Sequence, residues 1–365
     1  MRRVLIIVAA LDGGGVENVL LNYLKHFDFD KYSIDFVVHG HHVGKLEDEF
    51  KRIGCGVVHV PSKHDGLLKN IFTINSLIKN GKYDVVHTNM GEMGFSHMIS
   101  AWIYKVPIRI LHTHTIFRNQ TKPISLLLRY ISKSFSNKWI ACSADAAISM
   151  FGKKAQQKKV IILKNAIETD RYQFNEEIRI RIQTELNLSG KYVIGIVGRL
   201  SEEKNYPFSL MCFQSILNKC PDAFLLIIGG GELLDSLKNL IESMGIADRV
   251  SVLGLRDDVP DLLKAMDVFM LPSISEGFGM AFVEAQCSGL PCYASDRVPR
   301  DTQLTSLMHY LPLEMGAEKW AEVILELKDA PSVLRSSYAR EVKEAGYDVE
   351  TQVRYLEMIY LGAVF

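Results

Sequence analysis

The stretch VFMLPSISEGFGMAFVEA, residues 268–285, carries the pattern on which the fold prediction rests. Its first four residues are apolar without polar alternation, which is typical of a strand covered on both faces. A loop containing Gly277 and Gly279 follows, and the remaining residues have the composition of a helix. Strand, loop and helix in this order form the repeating unit of a parallel α/β sheet.

The same unit recurs along a chain of 365 residues, which is long enough for two domains. Apolar runs in the front half predict strands at Val4–Ala10, Ile34–Val38, Val57–Val60, Asp84–His87, Ile108–His112, Trp139–Cys142 and Val160–Leu163. Runs in the back half predict strands at Tyr192–Val197, Ala223–Ile228, Val250–Leu253, Val268–Leu271 and Pro291–Ala294. We expect an α/β protein of two Rossmann-like, doubly wound parallel-sheet domains that face each other across a cleft.

The predicted seam lies where the first set of strands ends, near residues 164–171. We therefore expect a first domain over residues 1–167 and a second over residues 168–347. The last segment, residues 348–365, is expected to be a helix that crosses back to the first domain.

The formal net charge is zero, but the charge is unevenly distributed. Residues 1–165 hold 23 Lys and Arg against 12 Asp and Glu, and the rest of the chain holds 19 against 30. A basic front half suggests an anionic partner, which we expect to be a membrane surface and not nucleic acid. A lysine-rich solvated surface is the alternative.

Six scattered cysteines without metal-binding spacing are typical of reduced thiols in a cytoplasmic protein. The apolar start MRRVLIIVAA is better explained as a buried strand than as a signal peptide. No run approaches the roughly 18 apolar residues of a membrane span, so any membrane contact is predicted to be peripheral.

In open parallel sheets, ligands bind beyond the carboxyl ends of the strands. Gly14 and Gly15 follow the first predicted strand and open a helix, where their amides can face a phosphate or an acceptor. Asn18 stands where a dinucleotide-binding loop has its third glycine, which disfavours NAD. A tight turn without a ligand is an equal alternative.

Arg199 and Lys204 follow the strand Tyr192–Val197 in the sequence GRLSEEKN, residues 198–205. The arginine fork and the lysine point charge can together neutralise a departing diphosphate without a metal. The alternative is that Arg199 and Lys204 are ordinary exposed cations on the protein surface.

Glu276 and Glu284 lie eight residues apart, the first at the start of a predicted helix and the second about two turns along it. The two carboxylates can accept hydrogen bonds from the hydroxyls of a sugar and a ribose, and Gly277 and Gly279 expose amides beside them. The alternative is that Glu276 caps the helix and Glu284 is an ordinary residue on its face, with no ligand bound by either. Glu284, however, stands among apolar residues, where a carboxylate needs a partner.

These motifs together resemble one family. The block EGFGMAFVEAQCSGLP (276–291), with GRLSEEKN, GGGE (229–232), LGLRDDVPDLLKAMDVFMLPS (253–273) and GGGVEN (13–18), resembles the retaining glycosyltransferases of family 4, whose fold is GT-B. Within the family it is most similar to bacterial exopolysaccharide and capsule enzymes. The resemblance implies transfer of a sugar from a nucleotide-sugar, expected to be a UDP-sugar, to a saccharide or lipid-linked saccharide acceptor in surface polysaccharide synthesis.

The resemblance also implies roles for individual residues. Arg199 and Lys204 would bind the donor diphosphate, Glu276 the donor sugar and Glu284 the ribose. The other residues implied to contact the donor are Gly14, Gly15, Gly198, Gly230, Leu255, Arg256, Gly277, Phe278 and Gly279.

The family has a histidine after a strand of the first domain, close to the anomeric carbon. His112 and His114 both stand at the end of the strand Ile108–His112, and we prefer His114 as the catalytic one. Both histidines are placed on the acceptor side, together with Gly14 and Gly15.

Asp28-Phe29-Asp30 is similar to the metal-binding DxD motif of another glycosyltransferase fold. It lies in a charged turn, where aspartate is common because its side chain can hydrogen-bond to the backbone of the turn. We expect no catalytic metal and no other cofactor.

Residues Lys122–Trp139 predict a helix with an apolar stripe beside cations. We expect Arg129, Lys133 and Lys138 to face an anionic membrane surface. An ordinary domain-packing helix with basic outer residues is the alternative.

Two other functions remain open at this level. A nucleotide-sugar epimerase can have the same fold, and so can a catalytically silent subunit that binds nucleotide-sugar or glycan. The preferred hypothesis is a bacterial, cytoplasmic glycosyltransferase with peripheral contact at the inner face of the cell membrane.

Overall fold

The structure is a computed structural model that describes residues 1–114, 123–152, 160–326, 328 and 335–363. The chain divides into two compact units: unit 1 consists of Met1–Ile167 and Val349–Phe365, and unit 2 consists of Glu168–Asp348. Each unit has its own parallel sheet and its own core. Lys122, the first residue of the predicted amphipathic helix, lies outside the described residues.

Unit 1 alternates strands and helices through most of its length. Its elements are β1 Arg2–Val8, α1 Gly15–Leu24, β2 Tyr32–His39, α2 Glu47–Arg52, β3 Gly56–Val60, α3 Leu67–Gly81, β4 Val85–Thr88, α4 Phe95–Ile103, β5 Ile108–Thr113, α5 Pro123–Phe135, β6 Lys138–Ala141, α6 Ala144–Phe151 and β7 Val160–Ile162.

The remaining elements belong to unit 2, except for the last helix. They are α7 Thr169–Tyr172, α8 Glu176–Glu185, β8 Tyr192–Val197, α9 Tyr206–Lys219, β9 Ala223–Ile228, α10 Leu234–Ser243, β10 Val250–Val252, α11 Val259–Lys264, β11 Val268–Leu271, α12 Met280–Cys287, β12 Cys292–Ser295, β13 Met308–Leu311, α13 Ala317–Glu326, α14 Tyr338–Val342 and, in unit 1, α15 Val349–Tyr360.

Both sheets are parallel and doubly wound. Their strand orders are β3-β2-β1-β4-β5-β6-β7 in unit 1 and β10-β9-β8-β11-β12-β13 in unit 2. In each sheet the order reverses direction beside the first strand of the unit, between β1 and β4 and between β8 and β11. This reversal separates the loops after the two strands and leaves a crevice at their carboxyl ends, where ligands bind in such sheets.

The central strand β1 shows why the apolar runs are continuous. Successive side chains of a strand point to opposite faces. Val4 and Ile6 pack in a cluster with residues of α1 and α15, whereas Leu5 and Ile7 pack in another with residues of α3 and α4. Because helices cover both faces, no polar alternation is needed. The prediction of Rossmann-like parallel sheets is confirmed.

The C-terminal helix α15 is part of the unit 1 core. Its residues Val353, Leu356 and Ile359 are buried in the same cluster as Val4. The backbone N–H of Val349 donates to the carbonyl of Ile167 at 2.9 Å, at the point where the chain re-enters unit 1.

Unit 2 has one continuous core around its sheet. Phe213, Phe269 and Trp320 are among its largest fully buried side chains, and the indole N–H of Trp320 donates to the carbonyl of Pro312 at 2.9 Å. Within the described part of the chain, no helix combines the length and the apolar composition needed to span a bilayer.

The burial of α15 gives a testable expectation for stability. Leu356→Ala removes a fully buried side chain from the unit 1 core and should lower the free energy of unfolding by about 2–5 kcal/mol. Hydrogen exchange followed by mass spectrometry should show faster exchange of the β1 and β2 amides. Met358→Ala, on the exposed side of the same helix, is the control and should change little. Equal effects of the two variants would contradict the placement of this helix.

Candidate active site

The loops that follow β8, β9 and β10 pack backbone against backbone. A side chain at Gly229 would stand 1.8 Å from the carbonyl oxygen of Gly198, and one at Gly231 would stand 2.4 Å from that of Leu200. The N–H of Leu200 donates to the carbonyl of Gly230 at 3.0 Å. The glycines of the GGGE segment therefore hold these loops together at the carboxyl edge of the sheet.

Lys204 and Glu276 meet across the reversal point of the unit 2 sheet. The ammonium of Lys204, after β8, lies 2.5 Å from Oε1 of Glu276, after β11. The hydroxyl of Ser273 donates to the same oxygen at 2.9 Å. The two loops are also joined through backbone, because the N–H of Ile274 donates to the carbonyl of Glu203 at 2.7 Å. Two residues that are 72 positions apart in the sequence thus form one partly buried pair.

Arg199 lies at the same edge but has a different partner. Its guanidinium forms an ion pair with Glu232 at 3.1 Å, and 72% of its side-chain surface is exposed. Such exposed pairs contribute little to stability, since water screens them. The side chain of Lys204 runs past the end of β8, with its Cε 3.7 Å from the position of a side chain at Gly198. The structure therefore brings two cations to the end of β8: an arginine in an exposed ion pair and a lysine that is partly shielded from water.

The helix α12 begins just after the glycine loop. Gly279 is its N-terminal cap and has a φ of +86°, a conformation that favours glycine. A side chain at Gly277 would meet no atom within 4 Å, so the space beside this residue is open. Because α12 starts at Met280, Glu284 stands just over one turn into the helix and not about two turns as predicted.

Glu284 has the partner that its apolar surroundings require. Its carboxyl group accepts a hydrogen bond from the hydroxyl of Tyr172, a residue of α7. Burial raises the pKa of Glu284 to about 7, and the hydrogen bond from Tyr172 opposes this rise. The backbone of α7 is also anchored to the residue that follows α12, since the Ser288 hydroxyl donates to the carbonyl of Tyr172 at 3.0 Å. Sequence analysis missed Tyr172, because no local pattern links it to Glu284.

The remaining donor-side candidates border the same loops. Leu255 is 73% exposed and lies next to Gly230, and Arg256 pairs with Asp258 at 2.6 Å. Phe278 stacks on Tyr347 with ring centroids 5.5 Å apart. All of these residues belong to unit 2, so one unit by itself contains a cation-rich and carboxylate-rich strand edge.

In unit 1 the glycine loop after β1 carries its own carboxylate. Gly14 is the N-terminal cap of α1, and a side chain at Gly14 would stand 2.4 Å from Oε2 of Glu17. Burial raises the pKa of Glu17, and hydrogen bonds from the backbone N–H groups of Glu17 and Gly14 act in the opposite direction. The carboxyl group of Glu17 therefore lies beside the amides that the sequence analysis assigned to a phosphate or an acceptor.

The two histidines after β5 have different environments. His112 is 1% exposed, and its Nδ1 is hydrogen-bonded to Nε2 of His87 on the neighbouring strand at 3.1 Å. His114 stands beyond the strand end and is hydrogen-bonded through Nε2 to Oδ1 of Asn89 at 2.9 Å. Burial lowers the pKa of His114 to about 4. His112 is thus enclosed, whereas His114 lies just beyond the carboxyl end of β5.

The predicted membrane role of Arg129 is wrong. Its guanidinium is buried and donates to Oε2 of Glu92 at 2.7 Å and to the carbonyl of Ser149 at 3.1 Å. Lys138 is half-buried and donates to the carbonyl of Ala363, and Lys133 is also half-buried. Of the described cations in this helix region, Arg129 and Lys138 are therefore bound to other parts of unit 1 and do not face outward as expected.

All six cysteines are buried free thiols.

Asp28 lies in the turn before β2, where its Oδ1 accepts from the backbone N–H of Asp30 at 3.1 Å. Among the described residues, no group of three or more His, Cys, Asp or Glu side chains is arranged to hold a metal ion.

Two solved structures of the GT-B fold match this chain over almost its whole length. Anabaena HepE in complex with UDP and glucose matches with a TM-score of 0.80 at 18% identity, covering 100% of both chains. WaaG, a glycosyltransferase involved in lipopolysaccharide biosynthesis, matches with a TM-score of 0.71 at 15% identity, covering 99% of this chain and 100% of that one. At these identities the likeness concerns the fold, and the class is GT-B.

Family models match both halves of the chain. Residues 13–171 match Glycosyltransferase Family 4, and residues 178–335 match Glycosyl transferases group 1. The chain therefore belongs to the group 1 glycosyltransferases of family 4, and it is a glycosyltransferase.

Curated relatives agree with this assignment. The putative glycosyltransferase EpsF of Bacillus subtilis is 26% identical over 370 residues, covering 98% of this chain and 96% of the relative. The UDP-Gal:alpha-D-GlcNAc-diphosphoundecaprenol alpha-1,3-galactosyltransferase of Escherichia coli is 31% identical over 249 residues, covering 63% of this chain and 62% of the relative.

The raised pKa of Glu284 predicts how Glu284→Gln changes stability with pH. Between pH 4.5 and about 7 the carboxyl ionises in the unfolded chain but stays protonated in the folded one, so wild-type stability falls as pH rises. Glutamine does not ionise, and the stability of the variant relative to wild type should rise across this window. Urea unfolding at pH 5, 6, 7 and 8 measures this difference.

Glu242→Gln, at an exposed position on α10, is the matched control and should show no such trend. A difference between Glu284→Gln and wild type that is constant from pH 5 to pH 8 would show that Glu284 is ionised throughout.

Proposed function

We propose that this glycosyltransferase transfers a sugar from a UDP-sugar to a saccharide or lipid-linked saccharide acceptor, with retained anomeric configuration and without a metal. The observation that carries the proposal is the Lys204–Glu276 pair at the reversal point of the unit 2 sheet. Anabaena HepE has been solved with UDP-glucose, and the Escherichia coli relative uses UDP-Gal and a diphosphoundecaprenol acceptor. These properties of the relatives support the donor and acceptor classes.

The charges at the unit 2 edge fit the donor. A diphosphate brings negative charge to Lys204 and can replace the exposed partner of Arg199, whose ion pair with Glu232 is weak in water. Glu276, released from Lys204, can then accept hydrogen bonds from sugar hydroxyls. Glu284 stands close to this loop on α12, where its carboxyl can accept from the ribose.

Stabilisation of the leaving diphosphate is the main catalytic task of these groups. Positive side chains and amides that already point at the developing charge lower the barrier without further rearrangement. We propose that Lys204, Arg199 and the amide of Gly277 act in this way. The nucleophile then attacks from the face that the diphosphate leaves, which retains the configuration.

The decisive experiment combines a donor screen with product analysis. UDP-glucose, UDP-galactose, UDP-GlcNAc and GDP-mannose are each incubated with the protein and saccharide acceptors. We expect a UDP-sugar to be used, with an unchanged rate in EDTA, and Glu276→Gln to lower kcat by about 10²-fold or more. Glu203→Gln, an exposed carboxylate in the facing loop, is the matched control and should retain activity.

The same assay separates the alternatives. An epimerase would convert the donor sugar without any acceptor. A silent binding subunit would show donor binding with no turnover, and Glu276→Gln would then leave the product profile unchanged. Either result would overturn the proposed transfer.

We also propose that unit 1 contacts a membrane, through apolar side chains and not through the cations expected from sequence. The helices α3, α4 and α5 contain no Asp or Glu, and α4 contacts both of the others. Large apolar side chains are exposed along them: Leu67, Leu68, Phe72, Trp102, Ile103, Ile124, Leu126, Leu127 and Tyr130. Exposed apolar groups on helices that carry no carboxylates favour an anionic bilayer interface.

Flotation with vesicles of phosphatidylethanolamine and phosphatidylglycerol tests this contact. Leu127→Glu and Phe72→Glu place a charge in the apolar surface and should each lower the floated fraction several-fold. Ile180→Glu, at an equally exposed apolar position on α8 of unit 2, is the control and should float like wild type. Undiminished flotation of both unit 1 variants would exclude this surface.

A further inference from the structure

The segment that follows β12 lies beside the loop between β11 and α12. The two strands are neighbours in the parallel sheet of unit 2, so their carboxyl ends lie side by side. The chain leaves β12 at Ser295 and reaches Thr302, whose side chain is fully buried. A buried hydroxyl needs a hydrogen-bond partner. The partner of Thr302 is on the neighbouring loop, residues 276–279.

Thr302 holds the backbone of the 276–279 loop. Its hydroxyl donates to the carbonyl of Phe278 at 2.6 Å. Phe278 stands between Gly277 and Gly279, which have no side chains that could fix the loop. The ring of Phe278 is held separately, because it stacks on Tyr347 with ring centroids 5.5 Å apart. Phe278 is therefore anchored through both its carbonyl and its ring.

Gln286, on α12, holds Thr302 in turn. Its side chain is fully buried, and its amide nitrogen donates to the carbonyls of Thr302 at 2.9 Å and Phe282 at 3.0 Å. Its Oε1 accepts from the backbone N–H groups of Leu304 at 3.1 Å and Thr305 at 3.0 Å. The helix thus fixes the segment that contains Thr302, and Thr302 fixes the loop from which the helix begins.

The carboxyl group of Glu276 rests on the same loop. A side chain at Gly279 would stand 3.9 Å from the carboxyl carbon of Glu276. Lys204 and Ser273 contact the carboxyl group from other directions. A displacement of the Phe278 carbonyl therefore moves the backbone against which the Glu276 carboxyl lies.

Resting on the proposed transfer function, we propose that Thr302 is a positioning residue for the reaction. Through the carbonyl of Phe278 it sets the positions of the Gly277 amide and the Glu276 carboxyl group, without touching the substrate itself. Reacting groups have to be held within about 0.5 Å of their productive geometry. A loop with two glycines cannot hold itself in this way, so its precision comes from the buried hydrogen bond.

The variant Thr302→Val tests this role, because it removes the hydroxyl and keeps the shape of the side chain. A carbon atom stays about 3.3 Å or more from a carbonyl oxygen, so the Phe278 carbonyl has to move away. The kcat should fall about tenfold or more, and the KM for the nucleotide-sugar should rise while the acceptor KM stays unchanged. Thr302→Ser keeps the donor and should restore wild-type kinetics.

Thr305→Val is the matched control, since it removes a buried threonine hydroxyl from the same segment. This hydroxyl donates to Oε1 of Gln286 at 3.1 Å and accepts from the N–H of Leu307 at 3.2 Å. The control should lower the melting temperature, as Thr302→Val does, and keep the donor KM and kcat close to wild type. If Thr302→Val does not fold, Thr302→Ala takes its place. Equal kinetic losses in both positions, or wild-type kinetics without the Thr302 hydroxyl, would overturn the proposal.

Hydrogen exchange followed by mass spectrometry tests the hold on the loop without an assay of transfer. Amides in the first turn of α12 should exchange faster in Thr302→Val than in wild type, and at the wild-type rate in Thr302→Ser. If the wild-type protein transfers no sugar, the proposed function fails, and this measurement alone decides whether Thr302 orders the loop. Unchanged exchange in Thr302→Val would overturn the hold, whether or not the protein transfers sugar.

Discussion

The contact between Lys204 and Glu276 connects the loops on either side of the crevice in the unit 2 sheet. Strand order makes it possible, because β8 and β11 are neighbours although α9, β9, α10, β10 and α11 lie between them in the sequence. Both side chains are partly shielded from water, so removing one partner would leave a costly isolated charge. In the proposed function a nucleotide-sugar would offer each of them a replacement: the diphosphate would offer negative charge to the lysine, and the sugar would offer hydroxyls to the carboxylate. Donor binding would then exchange partners without leaving either charge unsatisfied.

The two units differ in how completely their polar groups are paired. Within the described residues, every buried side-chain atom without a hydrogen-bond partner belongs to unit 1. These atoms are on His39, Asn70, Asn89, His97 and His112. Unit 2 instead places its ligand-facing charges in ion pairs, at Lys204 with Glu276 and at Arg199 with Glu232.

Strands were predictable because a parallel sheet between two helical layers requires continuous apolar runs. The runs Tyr192–Val197 and Val268–Leu271 coincide with β8 and β11, and the Lys204 and Glu276 loops follow them as expected. The contacts of Glu17 and Glu284 were not predictable. Glu17 folds back onto its own helix terminus, and the partner of Glu284 is on a short helix 112 positions earlier, at Tyr172. The periodicity of apolar residues identifies which face of a helix or strand is buried. It does not identify which distant side chain packs against that face.

The helix α5 shows the same limit in the orientation of a whole element. Its sequence separates apolar from basic residues, but this separation does not state which side faces the protein. Glu92, 37 positions before Arg129, determines the orientation, because a carboxylate and a guanidinium that are both largely shielded from water each require the other. Ser125 adds a hydroxyl that donates to the same Glu92 oxygen at 2.6 Å, so the polar side of the helix becomes the inner one. Leu126 and Leu127 are consequently left exposed on the outer side, which is why the membrane contact proposed for unit 1 involves apolar side chains and not the cations of α5.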